Sequence, residues 1–187
     1  MSTRFHGHTF LTEPGSVFTP RATSEPLVDA ALSRLAGKPG RVADVGTGSG
    51  AIAISIALQA PDVEVWASDT CERALKLASR NAEELGARIT LVHGDLLAGL
   101  PRDLDLIVAN LPYLAPGTPG YADEPPAAVF STGDGLDHYR RLLAAAADHL
   151  SASGGVLIQF DGHVFEAERS ELPWLRSRLE SLGAAAA

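Results

Sequence analysis

Apolar positions fall into short β-branched runs set between longer stretches with helical spacing. Arg41 to Val45, Val63 to Ser68, Ile89 to His93, Leu104 to Ala109 and Val156 to Phe160 read as five strands. Between them, Gly50 to Gln59 reads as a buried helix, and Cys71 to Leu85 as a second that Thr70 caps and Gly86 ends. A third, rich in Ala and Leu, spans Leu136 to Leu150, and Ser24 to Leu35 reads as an earlier one. Leu114 to Pro126 is a loop of Pro and Gly, and a last helix is expected from Phe165 to Leu182. Strands alternating with helices of this length imply right-handed crossovers, hence an α/β fold with a doubly wound, mostly parallel sheet. One domain is expected over 1–187, with 1–25 as an N-terminal extension of weak periodicity and 183–187 as a disordered tail.

Composition narrows the class. With 45% hydrophobic and 20% charged residues among 187, the chain carries the apolar content of an ordinary soluble domain. No apolar run reaches the length of a membrane helix, and no apolar stretch follows a basic start, so neither membrane nor secretion is implied. The single cysteine, Cys71, excludes an internal disulfide and a multi-cysteine zinc site, and the expected address is cytoplasmic. A net charge of −8 disfavours a nucleic-acid partner, because binding phosphates draws on Lys and Arg.

Two stretches carry chemistry. After the first strand comes Asp44-Val45-Gly46-Thr47-Gly48-Ser49-Gly50, opening a helix. Glycines permit a tight turn and close backbone approach, and N–H groups at a helix start face a ligand. Asp69, about twenty residues on, ends the second strand where it can accept from ribose hydroxyls. Asp95, after the third strand, is placed to accept from an adenine amino group. Gly46, Gly48 and Ala51 also satisfy a dinucleotide fingerprint, so the loop alone admits an NAD-dependent oxidoreductase. The fourth strand runs into Asn110-Leu111-Pro112-Tyr113. Pro112 drives Leu111 extended and its carbonyl outward, and the Asn110 side-chain carbonyl is a second acceptor. Such a pair holds both hydrogens of an amide or exocyclic –NH2, with Tyr113 against its flat face.

These stretches resemble class I methyltransferases of the HemK/PrmC family, the protein-(glutamine-N5) methyltransferases of release factors. Asp44 to Gly50 resembles the family's cofactor loop and Asn110 to Tyr113 its Asn-Pro-Pro-Tyr motif. Phe18-Thr19-Pro20-Arg21 with Ser24-Glu25 and Leu27-Val28 resembles the segment Pro-Arg–x–x–[Thr/Ser]-Glu–x–Leu-Val. Glu124-Pro125, Gly133 to Leu136 and Tyr139-Arg140 resemble the segment after the catalytic loop.

The resemblance implies a Rossmann-like fold, S-adenosylmethionine as cofactor, and transfer of its methyl group to a planar amide nitrogen of a protein or peptide, a release factor among them. By it, Asp44, Gly46, Thr47, Gly48, Gly50, Asp69, Asp95 and Asn110 bind the cofactor, while Asn110, Leu111, Pro112 and Tyr113 form the catalytic set, with no metal. Leu111 stands where the family has proline, and Asn-Leu-Pro-Tyr is also the form of ribosomal RNA adenine dimethyltransferases, which leaves an adenine acceptor open. The family's N-terminal helical domain and the last two strands of the class are expected to be lacking. The run VLIQF would then stand at an exposed sheet edge, open to a partner or a second copy. A non-catalytic subunit of the same fold is the remaining alternative.

Overall fold

The computed structural model describes residues 1–115 and 118–186. Its centre is a six-stranded sheet built from β3 (Gly40–Val45), β4 (Val63–Asp69), β5 (Thr90–His93), β6 (Leu104–Ala109), β7 (Leu150–Phe160) and β8 (His163–Glu168), with β1 (Ser2–Phe5) and β2 (His8–Leu11) set apart in an N-terminal hairpin. The spatial order is β5-β4-β3-β6-β7-β8, parallel throughout except for β8. Helices α1 (Glu25–Leu35), α2 (Ala51–Gln59), α3 (Glu72–Leu85), α5 (Asp137–His149) and α6 (Leu172–Ala186) cover it, with a single turn, α4 (Pro126–Val129), in between. The expected doubly wound α/β sheet is present.

Side chains alternate between two cores because successive residues of a strand face opposite ways. Val42, Leu106, Val108 and Leu157 point to the face packed by α1 and α2, with Leu27, Val28 and Ile54. Ala43, Val45, Ile107, Val156 and Ile158 point to the face packed by α5 and α6, with Tyr139, Leu142, Leu175 and Leu179. The central strands are buried on both faces, which is why they read as unbroken apolar runs rather than alternating ones.

The structure departs from the sequence expectation at both ends. The first residues form a hairpin, β1 (Ser2–Phe5) and β2 (His8–Leu11), whose Phe5 and Phe10 are buried against α1 and α2. Asn81 of α3 ties it down, accepting from the Leu11 N–H at 2.7 Å and donating to the carbonyls of Leu11 and Ser49. The helix expected from Phe165 begins instead at Leu172; residues 163–168 are β8, antiparallel to β7. Asp161-Gly162 explains this, since φ values of +48° and +74° make the two-residue left-handed turn that joins antiparallel strands. VLIQF is therefore an inner segment covered by β8, not a sheet edge, and one strand beyond the fifth is present. Helix α3 starts one residue late, with Cys71 rather than Thr70 at its N-cap. Helix α6 runs on through 183–186, the expected tail, while Ala187 and Pro116-Gly117 of the expected Pro/Gly loop lie outside the described residues.

Arg34 of α1 fastens β8 from below, pairing with Glu166 at 2.7 Å and Glu168 at 2.8 Å. Gly162→Ala puts a Cβ on a left-handed residue and should cost about 1 kcal/mol of stability. Thermal unfolding of the two proteins reads this, and an unchanged midpoint would refute the turn geometry.

Candidate active site

The connections leaving β3 and β6 diverge to opposite faces of the sheet, so a cleft opens beyond the carboxyl ends of these strands. Gly46, Thr47, Gly48, Asp69, Asp95, Asn110, Leu111, Pro112 and Tyr113 all line it; Asp44 and Gly50 do not.

The glycine loop is held by its surroundings. The N–H groups of Gly46 and Thr47 both donate to the Ser68 carbonyl at 2.9 Å, and Gly48 N–H donates to Asp69 Oδ2 at 2.9 Å. Gly46, at φ +75°, has no room for a side chain, since a Cβ there would sit 2.8 Å from Leu111 Cδ2. Gly48, at φ +56°, meets nothing within 4 Å on that side, so the loop leaves open space at the cleft. Helix α2 starts there without a side-chain cap, and Ala51 and Ile52 of its first turn line the cleft. Asp44 lies beneath the loop, where its Oδ2 accepts from the Thr47 hydroxyl at 2.7 Å and the Ala53 N–H at 3.2 Å. Its Oδ1 is enclosed with no partner among the described residues. Burial, with Asp69 adding to it, raises the Asp44 pKa to about 6 against the opposing pull of Thr47 and Ala53.

Asp69 has both carboxylate oxygens fixed by backbone, Oδ2 by Gly48 and Oδ1 by Cys71 N–H at 2.8 Å. Each oxygen keeps a lone pair for a hydroxyl donor. Asp95 is paired with Arg141 of α5, and Arg140 with Asp134 at 2.6 Å. Both arginines thus make ion pairs, though exposed ones contribute little.

At the end of β6 the Asn110 carboxamide donates through Nδ2 to Ser24 Oγ at 2.9 Å, while Oδ1 has no donor among the described residues. Leu111 N–H donates to the buried Tyr139 hydroxyl at 3.1 Å, and that hydroxyl donates to the Gln159 carbonyl. The Leu111 carbonyl stands 3.3 Å from the same hydroxyl. A hydroxyl has one proton, and Gln159 takes it, so the Leu111 carbonyl keeps its acceptor capacity. The Tyr113 ring packs on Phe160 at 5.0 Å, and burial raises its pKa.

The cleft's outer wall is the N-terminal segment, which the sequence left without a role. Glu124, buried, accepts from Thr19 N–H at 3.0 Å and Arg21 at 3.3 Å, and Arg21 lies over the Tyr121 ring at 4.4 Å. Gln159 donates through Nε2 to the Thr23 carbonyl at 2.7 Å. Ser24, Tyr139 and Gln159 were missed as site residues because their partners lie far along the chain; the only sequence signal was the resemblance of the segments holding Ser24 and Tyr139. Among the described residues there is no cluster of acidic, His or Cys side chains suited to a metal, and no helix long and apolar enough to cross a membrane.

Asp44 gives the site a pH signature. Its folded pKa of about 6 exceeds the ordinary carboxyl value of 3.8, so between these values the folded chain holds a proton that the unfolded chain has released. Its contribution to stability therefore falls as pH rises through this window. Without ligand, the midpoint of Asp44→Asn relative to the unsubstituted chain should be higher at about pH 7 than at about pH 4. A difference independent of pH would contradict the burial of an uncompensated carboxylate.

Comparison with known proteins bears on family and fold. The family model described as methyltransferase small domain matches residues 9–121. The release factor glutamine methyltransferase of Neisseria gonorrhoeae is 40% identical over 163 residues, 83% of this chain and 59% of its own length. That of Bordetella pertussis is 39% identical over 176 residues, 90% of this chain and 65% of its own. The chain thus spans less than two thirds of the length of these relatives. Among solved structures, a ribosomal protein L11 methylase from Lactobacillus delbrueckii subsp. bulgaricus superposes with a TM-score of 0.60 at 27% identity, covering 90% of this chain and 72% of that one. A 16S rRNA N2 G1207 methyltransferase of Thermus thermophilus shares the fold at a TM-score of 0.63 and 22% identity, over 84% of this chain and 40% of that one. With more than half its length matched by the family model, the chain belongs to the methyltransferase small domain family.

Proposed function

We propose that this chain transfers a methyl group from S-adenosylmethionine to the side-chain amide nitrogen of a protein glutamine, with a release factor as substrate. The observation that carries the reading is the Asn110 carboxamide, whose amino end is engaged by Ser24 and whose carbonyl is unpaired beside Tyr113 in the cleft. The relatives named release factor glutamine methyltransferases support the choice of amide and of substrate. The single free cysteine supports a cytoplasmic site of action.

The residues present fit S-adenosylmethionine. Asp69 is fixed for a ribose diol, Asp95 lines the cleft for an amino group, and Gly46, Thr47 and Gly48 offer backbone at close approach. The enclosed, unpartnered Oδ1 of Asp44 makes this region favourable to a cationic ligand. When bound, the cofactor would supply a methyl group on positively charged sulfur, and the amide nitrogen receiving it would release one N–H proton to water.

The chain's own work is positioning. Asn110 Oδ1 and the Leu111 carbonyl accept the two hydrogens of the substrate amide, which fixes the nitrogen and polarises its N–H bonds toward nitrogen as positive charge develops there. Tyr113 presents a flat face to the planar group, and its packing on Phe160 keeps that face in place. No nucleophile on the protein is needed, so no covalent enzyme intermediate forms.

Calorimetric titration with S-adenosylmethionine, followed by transfer of labelled methyl to a purified release factor and to RNA, tests the reading. Methylation of RNA adenine and not of protein would overturn it. Asn110→Ala should lower kcat by about 100-fold and change cofactor affinity by no more than a few-fold; intact turnover would refute the clamp. Asp69→Ala should instead weaken cofactor binding by about 10-fold, the loss of a hydrogen bond to a charged group, and unchanged affinity would sink that assignment.

A further inference from the structure

Two carboxamides stand side by side where β6 and β7 end. Asn110 and Gln159 each lie one residue beyond the paired Ala109 and Ile158, and both line the cleft. Each donates through its amino group to the same short turn of the N-terminal segment, Asn110 to Ser24 Oγ at 2.9 Å and Gln159 to the Thr23 carbonyl at 2.7 Å. These bonds join residues 86 and 136 positions apart.

We infer that Ser24 and Gln159 are positioning residues, which set the Asn110 carboxamide so that its carbonyl faces the amide to be methylated. The inference rests on the amide-methyltransferase reading and adds the elements that make its clamp rigid. A carbonyl only accepts, so the Thr23 carbonyl admits one orientation of the Gln159 side chain. The consequence is visible at the other atom of that carboxamide, where Oε1 is enclosed without a partner among the described residues. An unsatisfied buried acceptor is unfavourable, so the bond to Thr23 is what selects this arrangement. Gln159 thereby anchors the Thr23-Ser24 turn, and Ser24, itself buried, anchors Asn110. The main chain of Gln159 serves the second acceptor, because its carbonyl takes the Tyr139 proton and leaves that hydroxyl to receive Leu111 N–H. One residue of β7 thus supports both acceptors of the clamp without being required to touch substrate.

Ser24→Ala leaves Asn110 free to rotate about its side-chain bonds. With release factor as acceptor, its kcat should fall by about 10- to 100-fold, while the dissociation constant for S-adenosylmethionine stays within about twofold. Ser24→Thr restores the hydroxyl and should recover turnover. Gln159→Met, of similar length but with no donor, should lower kcat in the same direction, and combining it with Ser24→Ala should add little, since both break one relay. The Asn110 side-chain amide, assigned in nitrogen NMR spectra by its loss in Asn110→Ala, gives a readout independent of substrate. Its two proton signals should be sharp in the unsubstituted chain and in Ser24→Thr, and broadened or collapsed in Ser24→Ala.

Full turnover in Ser24→Ala, failure of Ser24→Thr to recover it, or amide signals unaffected by Ser24→Ala would each overturn the inference. Absence of amide methylation by the unsubstituted chain would instead refute the reading of function, and the NMR comparison would then still decide whether Ser24 holds Asn110.

Discussion

Everything at this site follows from the reversal of strand order beside β3. The helix leaving β3 returns on one face of the sheet, and the connection leaving β6 returns through α5 on the other. Two chain segments that part in opposite directions cannot close over the ends of the strands between them, and a crevice is left at that point. Into it project whatever residues occupy the last positions of β3, β4, β6 and β7 or the first ones after them. In this chain these are the glycine loop, Asp69 at the end of β4, Asn110 just after β6 and Gln159, next to last in β7. The sheet sets the spacing between these residues, and the side chains supply the chemistry.

A crevice of this kind is open on its outer side, and the N-terminal segment supplies the missing wall. That wall is held by polar contacts rather than by apolar packing alone. Glu124 is buried, which would be unfavourable for a lone carboxylate, but Thr19 N–H and Arg21 both donate to it. Arg21 in turn lies over the ring of Tyr121. The wall is therefore committed to one arrangement, and the same commitment reaches Asn110 through Ser24.

What was legible in the sequence was what depends on neighbours in the chain. Gly46 and Gly48 were read correctly as a tight turn because left-handed φ values are a local demand. The central strands β3 and β6 and the end of β7 showed because burial on both faces leaves unbroken apolar runs, and β4 showed by its alternation. The two hairpins were missed although each turns on a two-residue left-handed pair, His6-Gly7 and Asp161-Gly162. Asp-Gly is a strong hairpin signal, and Phe165 to Glu168 do alternate apolar and polar, but over four residues only, too few to part them from the helical stretch that follows. The hairpin of β1 and β2 is shorter still, four residues a side, and only Phe5 and Phe10 betray its buried face. The wall and the relay behind Asn110 were illegible for another reason. Their bonds span 86 to 136 residues, and no local pattern records a contact of that range.

That range has a consequence for how the site comes into being. Asn110 and Tyr113 are neighbours in sequence, yet an isolated Asn–x–Pro–Tyr segment would sample many side-chain orientations and would hold no amide still. The bonds that fix Asn110 come from the N-terminal turn and β7, so they exist only once β6 and β7 have paired and the wall has closed over them. Three segments remote in sequence must converge before two acceptors point the same way. The geometry is then paid for by the fold before any substrate arrives, which is the condition under which positioning lowers a barrier rather than merely weakening binding.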